Sequence, residues 1–196
     1  MTILKPVPIL LAALLSSCGF FSHTPNAFYS LDRIAPKAPI AGVRGLPIGI
    51  DVVLPPGVDR KEVVVRRANH QMEVRGTELW TASLEPLLEH TLASDLASRL
   101  PDGMVILPGQ SKPPGGMRSL DLTVEELAAG PERVVMLDAQ WSLRDTVSGN
   151  SILAHHEHIA IDVESLESAN VASGISRVLA LLADRIAAEL SAPTRG

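Results

Sequence analysis

The sequence is poor in cysteine and in aromatic residues. Its 196 residues hold one cysteine, three phenylalanines, two tryptophans and one tyrosine. A single thiol permits no intrachain disulfide, so the fold has to rest on its hydrophobic core. Aromatics make up 3% of a chain that is 46% hydrophobic, so leucine, valine, isoleucine and alanine must fill that core. A surplus of basic charge is also lacking, the formal net charge being −5. That balance argues against a nucleic-acid partner and against non-specific attachment to anionic lipid, both of which call for basic surface. No GxSxG elbow is present, and the glycine–proline stretches "PGGM" and "PPGVDR" are too short to cradle a phosphate.

The N-terminus differs from the rest. Lys5 and the free amine supply positive charge, Val7–Leu15 ("VPILLAALL") is an apolar run, and Ser16 and Ser17 are small. This order is that of a secretory signal. The run has nine residues, too few for a transmembrane helix, which needs about 20. The lone cysteine follows at once. Leu15-Ser16-Ser17-Cys18 resembles the bacterial lipobox, and that resemblance implies diacylglycerol on the Cys18 thiol, cleavage before Cys18 and acylation of the new amine. A single acyl chain holds a protein to a membrane only marginally, whereas two or three anchor it stably. Gly19, rather than Asp, implies sorting to the outer membrane under the rule known for enterobacterial lipoproteins. The other reading is an ordinary signal with a stray thiol. The expected organisation is a removed signal over 1–17, lipidated Cys18 with a tether over 18–27, and one domain over 28–192.

Periodicity predicts the elements of that domain. Strands are expected at 27–32, 47–55 and 104–108, with a hairpin from 62–67 and 71–75. Leu84, Leu88, Leu92, Leu96 and Leu100 recur every fourth residue, which predicts a helix capped by Thr81 or Ser83 and ended by Pro101-Asp102-Gly103. Alternation over 119–127 and 134–145 predicts half-buried strands, followed by a third over 152–163. Val171, Ile175, Val178, Leu179, Leu182, Ile186 and Leu190 form the stripe of a final helix over 168–190. Four strands, a helix, four strands and a helix predict an α+β fold, a mainly antiparallel sheet with two principal helices packed on one face.

Two groups invite a chemical reading. In "AHHEHIA", His156 and His158 share one face of a strand, with His155 and Glu157 on the other; two histidines at this spacing can begin a metal site or a metal-dependent hydrolase, but a third ligand would have to come from elsewhere. A solvent-facing strand is the plainer reading, and no metal, cofactor or catalytic residue is assigned. Arg66, Arg67 and Arg75 cluster on the proposed hairpin, where they could meet phospholipid headgroups or an acidic partner, or else guard a solvated edge.

Several segments together carry a family resemblance. "FYSLD" lies close behind Cys18, "PPGVDRKEVVVRR" leads through Trp80 to "LASRLP", and "LDAQWSLRD" precedes the final helix. The chain resembles the paraquat-inducible lipoprotein C family, also called ABC-type transport auxiliary lipoproteins. The resemblance implies a non-enzymatic lipoprotein on the periplasmic face of the outer membrane. It also implies two partners, a mammalian-cell-entry (MCE) domain protein that conducts lipid and an inner-membrane transport component, which is an ABC transporter in some systems. Its role would be to dock the conduit to the outer membrane, and a homo-oligomeric ring is compatible with that. No cofactor is implied apart from the covalent diacylglycerol and N-acyl lipid on Cys18. A periplasmic lipid-binding carrier, holding an acyl chain between sheet and helices, is the alternative.

Overall fold

The computed structural model describes residues 24–192 apart from residues 37, 39 and 41, so Cys18 and the expected signal over 1–17 lie outside the described residues. The elements are β1 (Ala27–Tyr29), β2 (Ile48–Val53), β3 (Glu62–Arg66), β4 (Met72–Trp80), α1 (Leu84–Arg99), β5 (Val105–Ile106), β6 (Arg118–Ala129), β7 (Val134–Asp145), β8 (Ser151–Asp162) and α2 (Ser168–Ser191).

Alternation organises the large sheet. Leu120, Leu122 and Val124 of β6 and Val135, Leu137, Ala139, Trp141 and Leu143 of β7 are buried on one face. The antiparallel register sets Leu122 opposite Trp141, Leu120 opposite Leu143, and Leu137 opposite Ile159 of β8. The intervening residues form a polar face, as a half-buried antiparallel strand requires. Helix α2 covers the apolar face through Val171, Ile175, Val178, Leu179, Leu182 and Ile186, and α1 lies beside it through Leu88, Leu92 and Leu96. Helix α2 approaches the sheet closely at Gly174, where a Cβ would stand 2.6 Å from Val135 Cγ2 and 2.7 Å from Val163 Cγ1.

The α+β class, with both helices on one face, is as expected; the strand arrangement is richer. The strands form two mixed sheets, a five-stranded one ordered β5-β2-β6-β7-β8 and a three-stranded one ordered β1-β4-β3. Strand β2 runs parallel to both β5 and β6, and β1 runs parallel to β4. The cause is connectivity. After β2 the chain builds the β3–β4 hairpin and α1 before returning to β5, and a crossover through a helix delivers a strand parallel to its predecessor. Helix α1 also starts differently from expectation. Ser83 occupies the N-cap position without making a side-chain bond, and Asp59 Oδ1, from the loop before β3, accepts the Glu85 N–H at 3.0 Å.

A buried charge fastens the chain ahead of β2 to both helices. Arg99, 1% exposed, donates to Asp184 Oδ1 at 2.7 Å, to the carbonyls of Ile34 and Ala180 at 3.0 Å each, and to that of Asp95 at 2.9 Å. Asp95 Oδ1 accepts the Ile34 N–H at 2.8 Å, and the Ile40 N–H donates to the Arg99 carbonyl at 2.7 Å. Asp95 Oδ2 is buried and has no partner among the described residues. Burial pushes the Asp95 carboxyl up to about 6, against the pull of the Ile34 N–H and Arg99.

Two predictions follow from this packing. Gly174→Ala gains helix propensity of about 1 kcal/mol but drives a methyl into Val135 and Val163, and overpacking of this kind costs about 1–3 kcal/mol. Net destabilisation is expected, read as a lower urea midpoint. The second concerns pH. A carboxyl whose folded pKa is raised stabilises the fold fully below its unfolded value of 3.8, and that contribution is lost as pH rises through about 6. Asp95→Asn keeps an acceptor for the Ile34 N–H and has no charge to bury. Its stability relative to the unaltered protein should therefore climb across that window; urea titrations showing a pH-independent difference would contradict the assignment.

Candidate functional site

The β3–β4 hairpin is the most structured surface that carries the candidate residues. Valine at 63, 64 and 65 favours a strand, and Val63 and Val65 are fully buried. The reversal at Ala68–His70 uses left-handed backbone at Asn69 and His70, with φ of 63° and 65°. Asparagine tolerates that region better than most residues. On the hairpin face opposite Val63 and Val65, Val64 is half-buried, while Met72 and Val74 are about half exposed.

The three arginines all sit on this hairpin, and each meets carboxylates of the chain itself. Arg66 pairs with Glu126 of β6, joining the small sheet to the large one. A bulge in β6 separates Glu126 from Glu125, which reaches His156 instead. Arg67 pairs with Glu73. Arg75, 13% exposed, donates to Glu73 and Glu78 at 3.2 Å each, to Ser168 Oγ at 2.6 Å and to the Leu166 carbonyl at 2.6 Å. It thereby clamps β4 to the start of α2, and the Ser168 hydroxyl in turn donates a hydrogen bond to Glu78. The Arg67 hydrogen bond, with that of Arg75, holds the Glu73 carboxyl below its ordinary value against the opposing effect of burial. Arg67 and Arg75 thus converge on Glu73, while Arg66 turns away to Glu126.

Behind the hairpin lies an apolar cavity of about 130 Å³. Val64, Met72, Trp80, Leu84, Leu127 and Ile175 line it, with Arg60 and Glu62 also on its wall. Those two side chains face one another at 3.6 Å and are each more than a third exposed, so they mark its boundary with water. Nothing in the periodicity of the sequence announces this space. It arises where the small sheet, the end of β6 and the two helix starts meet without closing.

The histidine strand divides as its alternation predicts. His156 and His158 are exposed on the polar face, His156 Nε2 lying 3.4 Å from Glu125 and His158 Nδ1 2.6 Å from Asp138. On the other side His155 stacks on Trp141 with ring centroids 4.8 Å apart, and Glu157 accepts from Arg185 at 2.6 Å. Each exposed histidine has its own carboxylate, and among the described residues no three histidine, cysteine, aspartate or glutamate side chains gather as a metal site would require. Cys18 lies outside the described residues. Sequence reading missed the Asp95–Arg99 pair. Its only signal is the four-residue spacing of opposite charges on α1, beside the leucine stripe.

The clamp and the exposed pair should separate by mutation. Arg75→Ala removes charge-assisted bonds to Leu166 and Ser168 and should cost about 2 kcal/mol, at roughly 1.5–3 kcal/mol for a hydrogen bond to a charged group. Arg67→Ala, at a pair more than a third exposed on both sides, should stay within about 0.5 kcal/mol. Chemical denaturation measures both. Equal effects would show that Arg75 does not hold the hairpin to α2.

Comparison with known proteins places this architecture. A family model described as the ABC-type transport auxiliary lipoprotein component matches residues 29–187, from β1 through most of α2. No curated protein matches the sequence. Among solved structures, the crystal structure of an uncharacterized protein shares 20% identity at a TM-score of 0.69, covering 86% of this chain and all of the other. A DUF330 protein from Xanthomonas campestris shares 12% identity at a TM-score of 0.66, covering 84% of this chain and 95% of the other. At these identities the likeness is one of fold. Since the family match takes in both sheets and both helices, the chain belongs to the ABC-type transport auxiliary lipoprotein component family.

Proposed function

We propose that this protein is an outer-membrane-anchored periplasmic accessory lipoprotein of an MCE-type lipid transport system linked to an ABC transporter. The observation that carries the reading is the family match over the whole α+β core, with a lipobox-like cysteine a short distance ahead of it. Cys18 is the attachment point. From Cys18 to Ala27 the chain can extend at most about 30 Å, so the domain works close to the membrane that holds the lipid.

The role suits a protein that positions others. The surface offers ion-paired arginines on a hairpin and a polar sheet face, and the family is a transport component rather than an enzyme family. Among the described residues no helix is long and apolar enough to cross a membrane, so the covalent lipid would carry the attachment. The domain would hold the MCE conduit against the outer membrane while the inner-membrane component drives lipid through it.

Two measurements test this. Metabolic labelling with palmitate should mark the unaltered protein, and Cys18→Ala should lose the label and leave the outer-membrane fraction. Affinity capture from detergent-solubilised envelopes should recover an MCE-domain protein. Labelled protein that brings down no MCE protein would refute the docking role while leaving the anchor in place.

A further inference from the structure

The cavity behind the β3–β4 hairpin has features that a packing defect would not combine. Its wall is aliphatic apart from Trp80 and the Arg60–Glu62 pair, and it holds no other charged side chain. A polar ligand would lose its hydration there without gaining partners, which selects for a hydrocarbon. The volume of about 130 Å³ is close to that of the roughly 150 Å³ apolar cavity known to take up benzene, so it fits about six carbons. The space is also reachable from outside. Met72, half exposed, stands at its mouth, and methionine is the side chain best able to swing aside and repack around a guest.

The cavity also leads on to more apolar surface. A groove of about 240 Å³ runs along Pro131, Val134 and Met136, with Arg66 and Glu132 also on its wall, and Ala128 lines both spaces. An apolar cavity with an open groove next to it at Ala128 suits an unbranched chain longer than the cavity itself, its tip inside and its remainder lying outside. Arg66 borders the groove, and its head is already committed to Glu126, so the chain rather than a headgroup carries recognition.

We infer that the cavity beneath the β3–β4 hairpin, lined by Val64, Met72, Trp80 and Leu127, binds the terminal segment of an aliphatic chain. The inference deepens the lipid-transport reading and rests on it for its biological sense, not for its geometry. A free fatty acid and a phospholipid both present such a chain, and the two sources are separable by experiment.

Trp80 lines the cavity, whereas Trp141 lies in the sheet core against His155, so bromine attached to a bound chain should quench the first and spare the second. Purified protein titrated with 8-bromooctanoate should show saturable quenching of tryptophan fluorescence. In parallel, octanoate should shift the Met72 methyl resonance, a readout that needs no substitution. Val64→Phe fills the mouth and should weaken both responses at least tenfold. Val74→Phe, on the neighbouring strand and outside the cavity lining, should leave them within twofold. Vesicles of phosphatidylcholine brominated at the chain ends distinguish the sources: quenching by vesicles supports a phospholipid chain, and quenching by the free acid alone supports a fatty acid. Quenching that never saturates, or is unchanged in Val64→Phe while the Met72 methyl stays fixed, would overturn the inference. No partner protein takes part, so failure here leaves MCE capture unaffected, and failure of capture leaves the cavity intact.

Discussion

The Arg99 guanidinium is the contact on which the arrangement of this domain most depends. It is almost wholly buried and meets the backbone carbonyls of the N-terminal segment at Ile34, of α1 at Asp95 and of α2 at Ala180. The planar fork of arginine offers five donors, which is why one side chain can join three stretches of chain. Such a charge is costly to bury and is tolerated only when its partners are in place. Asp95 and Asp184 supply the counter-charge from the two helices. The helix pair, the N-terminal segment and the ion network therefore specify one another. A shift of α2 along α1 would strand the guanidinium without its Ala180 and Asp184 contacts.

A second tie acts at the other end of α2. Arg75 and Glu78 fix β4 to Ser168, the first residue of that helix, while Arg66 reaches Glu126 of β6. The small sheet is thus held by polar contacts on two sides, and its apolar residues Val63, Val65 and Trp80 complete the main core. Polar ties need geometry more than close packing. This explains how the hairpin can stand over an unfilled apolar space and still be well placed. Of the arginines that look in the sequence like a basic patch, Arg66 and Arg75 serve here as struts between layers.

The readable part of the fold was written in one-dimensional periods. The leucine stripe from Leu84 to Leu96 is buried as its spacing requires, and the alternation over 134–145 coincides with β7 from end to end. Features that depend on distant segments were not readable. The Asp59 cap of α1 spans 26 residues, and the parallel pairing of β2 with β6 joins segments 70 residues apart. The division into two sheets follows from the same non-local pairing. Of the candidate site, the hairpin and its arginines were legible, but their partners Glu126 and Ser168 were not, because they arrive from other elements. The cavity was the least legible feature, since it is defined by side chains from five elements and the loop before β3, and by what they fail to fill.

The N-terminal segment gives the domain a mechanical character. Beyond the three paired residues of β1, it is bonded in turn to Ser176 of α2 through Asp32, to α1 through Ile34, and to α1 again through Ile40. A pull on the chain ahead of β1 would therefore enter the molecule first through the β1–β4 pairing, and only then be shared with the helix pair through these bonds. Tension applied at the N-terminal side would thus reach the sheet that carries the β3–β4 hairpin, and the cavity beside it, before the helices take up the rest.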